Sequence, residues 1–429
     1  MSEVLYLYGI STSNYLMKSF KLKLNLSYEQ ELILNTLSNE HRLLYNHLLD
    51  LCKTTSNFKL LQEETKKYRT ENNLTIKYQA AQITKNKLIN AISGFFKVRK
   101  SNPEAKFPYR FKSWKYFFSF QYDRNGEFKI EDDNLKVYVG DGHVKNSKSL
   151  NFKLPQVVSE RGINKDTIKT ITFKKEENKY YCVLTYSETP KISNLNRDNF
   201  MSIDLGVSKI VTCYSNKIDS FGIENNHFKK LKKTYSEISS RLSKKVKGSK
   251  KFLKLKTKKI KICKKLSNKN KDFQHKISKK IINICVQNDI GTLVVGDIKT
   301  KNLTKGKFSF KRLNESTQNN GTLSRFKTFL AYKSKDADIN FELLNESYTS
   351  QENSLTGIRG LDSNLKIRTV RLSSDIEIDR DLNSAINISK RRKGNCSIQS
   401  DNLREQIKKS SKNYRTMYMT NESYLYTTS

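Results

Sequence analysis

Three patterns in the chain predict its architecture. Short strands recur between residues 120 and 186, two amphipathic helical runs precede them, and the order strand, strand, helices, strand, helix, strand, helix follows residue 196. The first two patterns predict a small β-barrel with an inserted helical module. The third is the order of an RNase H-like domain, here with a Lys-rich helical insertion. The fold class is therefore mixed, α+β in the first part and α/β in the second. The expected divisions are a leader at 1–18, a barrel at 19–195 with its helical insertion at about 27–100, the RNase H-like domain at 196–390 with Lys-rich helices at about 228–287, and a disordered tail at 391–429.

Ser19–Ser27 alternates Phe20, Leu22, Leu24 and Leu26 with Lys21, Lys23 and Asn25, the period of a half-buried strand. Ser27-Tyr-Glu-Gln30 is a capping box that opens a helix through Leu32, Ile33, Leu37, Leu44 and Leu48. A second amphipathic run spans about Tyr78–Val98. His41 and His47 lack a further ligand at metal spacing, so they read as interhelical polar contacts. Lys106–Phe120 interleaves cations with aromatics, which makes Arg110, Lys112, Trp114, Lys115 and Tyr116 candidates for stacking bases and neutralising phosphates. A core strand with a basic outer face is the alternative. Strands follow at Glu127–Ile130, Leu135–Val139, Leu150–Leu154, Ile168–Lys174 and Tyr180–Tyr186, and Ser187–Asn199 reads as a linker. Phe228–Gln287 has sparse apolar positions (Leu231, Ile238, Leu266, Ile281) that fit two antiparallel helices turning at Gly248. Thr292–Asp297 is a strand, Lys299–Asn319 a polar mobile loop, Leu323–Lys335 a helix and Asp338–Leu344 another strand.

Lys and Arg outnumber Asp and Glu 81 to 42 over 429 residues, a formal net charge of +39. A surface that positive repels itself unless a polyanion neutralises it, so nucleic acid is the first partner to consider. No apolar span or signal peptide supports a membrane role, and a cytoplasmic place is expected, or a nuclear one in a eukaryotic host. The cysteines are scattered without a CxxC pair, which suits a reducing compartment and leaves no disulfide framework or zinc cluster.

Met201–Tyr214 reads as a hairpin of two apolar runs, with Asp204 inside the first. An unpaired charge there is costly, so Asp204 either caps the turn or meets a metal ion. Its downstream partners are Val294-Val-Gly296-Asp297 and Asp379-Arg-Asp381-Leu-Asn383-Ser-Ala-Ile-Asn387-Ile388. In an RNase H-like sheet, acids from separate elements meet at one edge and hold two divalent ions, because hard cations prefer several oxygen ligands.

These residues resemble the TnpB (OrfB) proteins of insertion sequences, RNA-guided nucleases related to type V CRISPR effectors. The resemblance rests on Leu22–Leu51, Phe107–Phe120, Ile203-Asp204-Leu-Gly206, and Tyr348-Thr-Ser-Gln351 with the D-R-D-x-N-x-A-x-N-I block, which is the most specific. It implies a DNA endonuclease with a RuvC-like domain, a guide RNA and a target DNA as partners, and two Mg²⁺ ions held by Asp204, Glu346 and Asp381. Arg380 and the Lys-rich helices would contact phosphates, and a separate transposase or recombinase of the same element is a further partner. Two departures matter. Most of the family has Glu before the Asp of the second motif, where this chain has Gly296. The family's zinc-knuckle cysteines correspond to Asn353, Thr356, Arg371 and Ser374, so no zinc is expected. Either the nuclease is dead and only binds DNA under RNA guidance, or Glu346 on the neighbouring strand replaces the missing glutamate, an arrangement that one branch of the family resembles. Asp297 is a third candidate, though it should point to the opposite face. A basic protein that merely coats nucleic acid is the remaining alternative, and the D-R-D block argues against it.

Overall fold

The computed structural model describes residues 15–53, 58–107, 110–123, 127–131, 133–140, 148–190, 192–206, 208–225, 228–297, 322–362, 367–392, 400–419 and 425–427. Most of the expected leader and the whole of the expected loop at Lys299–Asn319 lie outside them. The chain divides into two compact units between Thr189 and Pro190.

In the N-terminal unit, β1 (Leu16–Leu24) is followed by three helices, α1 (Tyr28–Leu51), α2 (Phe58–Glu71) and α3 (Tyr78–Ser101). The capping box forms: Gln30 N donates to Ser27 Oγ at 3.2 Å, and Ser27 N to Gln30 Oε1 at 3.0 Å. Six strands follow, β2 (Phe120–Asp123), β3 (Phe128–Glu131), β4 (Asn134–Val139), β5 (Lys148–Lys153), β6 (Ile168–Glu176) and β7 (Lys179–Glu188), with the single turn α4 (Val157–Glu160) between β5 and β6. Their pairing differs from the expected barrel. A four-stranded sheet of order β1-β7-β6-β2 and a three-stranded sheet β3-β4-β5 stand apart, and the described pairing closes no ring. Both sheets share one core with the helices, through Leu34, Leu44, Leu88, Tyr122, Leu135 and Phe173. His41 is buried in it, bonded to Thr84 at 2.7 Å and stacked on Phe120.

The C-terminal unit is built on β8 (Phe200–Asp204), β9 (Lys209–Ser215), β10 (Phe221–Glu224), β11 (Thr292–Gly296) and β12 (Asn340–Leu344). β8, β9 and β10 are antiparallel neighbours, whereas β11 lies parallel to both β8 and β12. That order, β12-β11-β8-β9-β10, is the RNase H-like sheet. Between β10 and β11 run α5 (Lys229–Ser243) and the 38-residue α6 (Lys250–Gln287), turning through Gly248 at φ +88°. The C-terminal half of α6 packs Phe273, Ile277, Ile281 and Cys285 against the sheet core. α7 (Thr322–Asp336) precedes β12, and the hairpin β13 (Thr369–Ser373) and β14 (Ile376–Asp379) leads into α8 (Arg380–Lys390).

Of the expected disordered tail, residues 400–419 and 425–427 are instead built into this unit. α9 (Ser400–Asn413) buries Ile407 in a core shared with Phe200, Tyr214 and Ile386, and β15 (Arg415–Met419) extends the sheet in parallel with β10, with β16 (Leu425–Thr427) beyond it. Where the family carries thiolates, Asn353 Oδ1 accepts from Leu355 N and Thr356 N, and its Nδ2 donates to Leu372 O at 2.9 Å. Leu355 and Leu361 pack on the apolar cluster of Phe200, Tyr214 and Ile386.

Candidate functional site

Three parallel strands end side by side. β8 stops at Asp204, β11 at Gly296 and β12 at Leu344, with Val295 opposite Ile203 and Gly296 opposite Leu344. Two residues past β12, a tight turn presents Glu346: Thr349 donates to Glu346 O through both its N and its Oγ1, and Tyr348 adopts φ +66°. Gly296 makes room for the Glu346 carboxylate. A Cβ at 296 would stand 2.4 Å from Glu346 Oε2 and 2.9 Å from Ile388 Cδ1, well inside van der Waals contact.

Asp381 comes from the first turn of α8. Asp379 is the N-cap, its Oδ1 accepting from Asp381 N at 2.9 Å and Leu382 N at 3.3 Å, and the helix N-terminus favours both charges. The two asparagines of the block fasten the Glu346 turn to this helix. Asn383 and Asn387 both donate to Thr349 O and Glu352 O, and Arg391 donates to Asn345 O and Ser347 O on either side of Glu346.

Electrostatics tie the acids together. Burial raises Asp204 well above the usual carboxylate range, and Glu346, Asp381 and Asp379 push it further while Arg380 opposes. Burial lifts Glu346 to about 7, against Lys327 and with Asp297. Asp381 is also raised by burial and then by Asp379, with Lys209 lowering it. Asp297 is paired with α7, its Oδ1 2.5 Å from Lys327 Nζ, and its charge still reaches Glu346. Arg380 differs from its expected phosphate-contacting role. It is only 7% exposed, its Nη2 donates to Ser350 Oγ at 3.3 Å, and its charge faces Asp204 and Asp381.

Among the described residues no three His, Cys, Asp or Glu side chains are placed so that they could together hold a metal ion as they stand. The donor chemistry nonetheless fits one. The oxygens are hard ligands, Glu346 Oε2 is buried without a hydrogen-bond partner, and all three acids carry charge that a divalent cation would relieve. Sequence reasoning missed Lys209, whose ammonium lies 2.5 Å from Asp379 Oδ2; nothing local in the hairpin marks it, because its partner is 170 residues away.

In the N-terminal unit, Arg110, Lys112, Trp114, Lys115 and Tyr116 are all exposed, Trp114 at 75% and Tyr116 at 77%. They lie on an irregular segment rather than a strand. Asn46 of α1 pins it through both backbone polar groups of one residue, accepting from Lys112 N at 2.7 Å and donating to Lys112 O at 2.9 Å. Lys112 covers the ring of Tyr45, Lys53 that of Phe111 and Lys115 that of Trp114.

Residues 182–302 match the OrfB_IS605 family model, described as a probable transposase, and residues 324–388 match the Cas12f1-like TNB domain. A TnpB-like protein of Methanocaldococcus jannaschii is 27% identical over 285 residues, 62% of this chain and 92% of that protein. Among solved structures, a Cas12f1–sgRNA–target DNA complex superimposes with a TM-score of 0.62 at 15% identity, covering 88% of this chain and 99% of that one. Both family models fall on the strands, turn and helix that carry Asp204, Gly296, Glu346 and Asp381, so over these segments the chain is similar to TnpB-like OrfB proteins, and its fold is that of the Cas12f1 chain.

Proposed function

We propose that this protein is an RNA-guided DNA endonuclease of a mobile element, with Asp204, Glu346 and Asp381 as its catalytic acids. The observation that carries the reading is the Gly296–Glu346 pair: the acid absent from the second motif is replaced from the neighbouring strand, and the glycine leaves the space it fills. Those three residues would hold two Mg²⁺ ions, which supply Lewis-acid polarisation of the phosphodiester and activation of water. Arg380 balances part of the charge and keeps Asp204 and Asp381 from repelling one another outright. Guide RNA and target DNA are the partners; base pairing with the guide supplies sequence recognition, and the exposed aromatics and lysines grip backbones and stack bases. The Cas12f1 neighbour, solved with its guide and target DNA, supports that assignment by fold.

The test begins by sequencing the RNA that copurifies with the protein and reprogramming its guide segment against a library of flanking motifs. With Mg²⁺, cleavage is expected beside one motif. Glu346→Gln should reduce it by at least a hundredfold with RNA retained, while Asp297→Asn stays within threefold. Normal cutting by Glu346→Gln would refute the replaced glutamate. A wild-type protein that holds a discrete RNA and binds DNA without cutting would be the nuclease-dead, RNA-guided binder.

A further inference from the structure

Lys209 begins β9, and its ammonium stands 2.5 Å from Asp379 Oδ2 but 3.9 Å from Asp381 Oδ2. The side chain is only 12% exposed, so this is a shielded pair rather than a surface one. Asp379 is thereby engaged on both oxygens, Oδ1 by the amides at the start of α8 and Oδ2 by the lysine. Among the described residues, the ion pairs of Asp381 are the longer approaches of Lys209 and, at 3.8 Å, Arg368. Of two carboxylates two residues apart, one is therefore occupied and the other left open.

The lysine is itself held. The ring of Tyr414 lies 5.0 Å from Lys209 Nζ. Its hydroxyl occupies a space that exists because residue 222 is glycine: a Cβ there would meet Tyr414 Oη at 2.3 Å and Lys209 Cδ at 3.1 Å. Tyr414 sits between α9 and β15, so its position is set by the burial of Ile407 and by the pairing of Arg415, Thr416 and Met417 with Phe221, Gly222 and Ile223.

We propose that Lys209, seated by Tyr414 of the C-terminal segment, is a positioning residue that occupies Asp379 and leaves Asp381 as the acid of that pair available to a divalent cation. Residues 400–419 are then a working part of the site. The proposal rests on the reading of Asp204, Glu346 and Asp381 as cation-holding acids. Without the ammonium, Asp379 competes with Asp381 for the cation and one positive charge is lost beside it. Binding tightens, but the cation is shared with the wrong oxygen.

The experiment uses the full-length protein with its copurified RNA. Mn²⁺ affinity is measured by titration of free Mn²⁺ signal in paramagnetic resonance, alongside cleavage at saturating Mn²⁺. Lys209→Met should lower the Mn²⁺ dissociation constant at least threefold while slowing cleavage at least tenfold, and Lys209→Arg should recover most of both. Tyr414→Ala and Gly222→Ala, which leave the lysine in place but unseat it, should shift both readouts the same way by smaller factors. A lysine with only a structural role would weaken Mn²⁺ binding and cleavage together; that result, or no change in Mn²⁺ affinity, overturns the proposal. Full Mn²⁺ binding by Asp204→Asn and Glu346→Gln would instead overturn the underlying reading of the site.

Discussion

Gly296 is the residue on which the site turns. Alanine is the smallest side chain that tests it, and its methyl would crowd both Glu346 Oε2 and Ile388 Cδ1. Overpacking of this kind costs about 1–3 kcal/mol, and here the neighbour that can yield is the carboxylate. Gly296→Ala should therefore lower Mg²⁺-dependent cleavage at least tenfold with RNA binding intact, and thermal unfolding followed in parallel should show only a modest loss of stability. Unimpaired cleavage would mean that Glu346 works from elsewhere. Asp204 and Asp381 could be singled out as candidates because each lies in a short local motif. Glu346 could be singled out only through the empty position across from it, and Lys209 and Tyr414 not at all, since their contacts join distant segments.

Among the elements, the irregular segment at 110–116 takes its shortest hydrogen bonds from Asn46, with Arg42 Nη1 adding a longer one to Lys112 O. Asn46 bonds both polar groups of Lys112, and such bonds contribute roughly 1 kcal/mol each. Asn46→Ala should free the segment, and Trp114, the only tryptophan in the chain, reports on it directly. Lower fluorescence anisotropy of Trp114 and severalfold weaker RNA binding are expected, with circular dichroism unchanged; unaltered anisotropy would show that the segment is held by other means. Helices with strong local signals, such as α1 with its capping box, were readable from the sequence. α2 was not, because it buries only Leu61 and Thr65 in a strongly charged run. Strand existence was readable in the N-terminal unit, but sheet closure was not: which strands pair is decided by non-local contacts that leave no local pattern. The same reason hid β15, whose partner β10 lies nearly two hundred residues upstream.

For the whole molecule, the charge of +39 sets how binding responds to salt. If the chain neutralises six or more phosphates, raising salt from 50 to 200 mM should weaken RNA binding on the order of 10³-fold, read from the slope of a log–log titration. A shallow slope would mean that stacking on Trp114 and Tyr116 carries the affinity. The RNase H-like strand order was visible in the succession of elements, because that succession is a one-dimensional trace of the topology. The crowding between positions 296 and 346 reaches further, into descent. An acid at 296 and the carboxylate of Glu346 compete for one volume, so a lineage that moves the acid from one strand to the next passes through a chain with either a congested site or a vacant one. Each single exchange is harmful and the pair together is neutral, the signature of strong negative coupling between neighbours. Gly296 and Glu346 should therefore be inherited as a unit, and an alignment of homologues is expected to fall into two sets, one with an acid at 296 and one with an acid at 346.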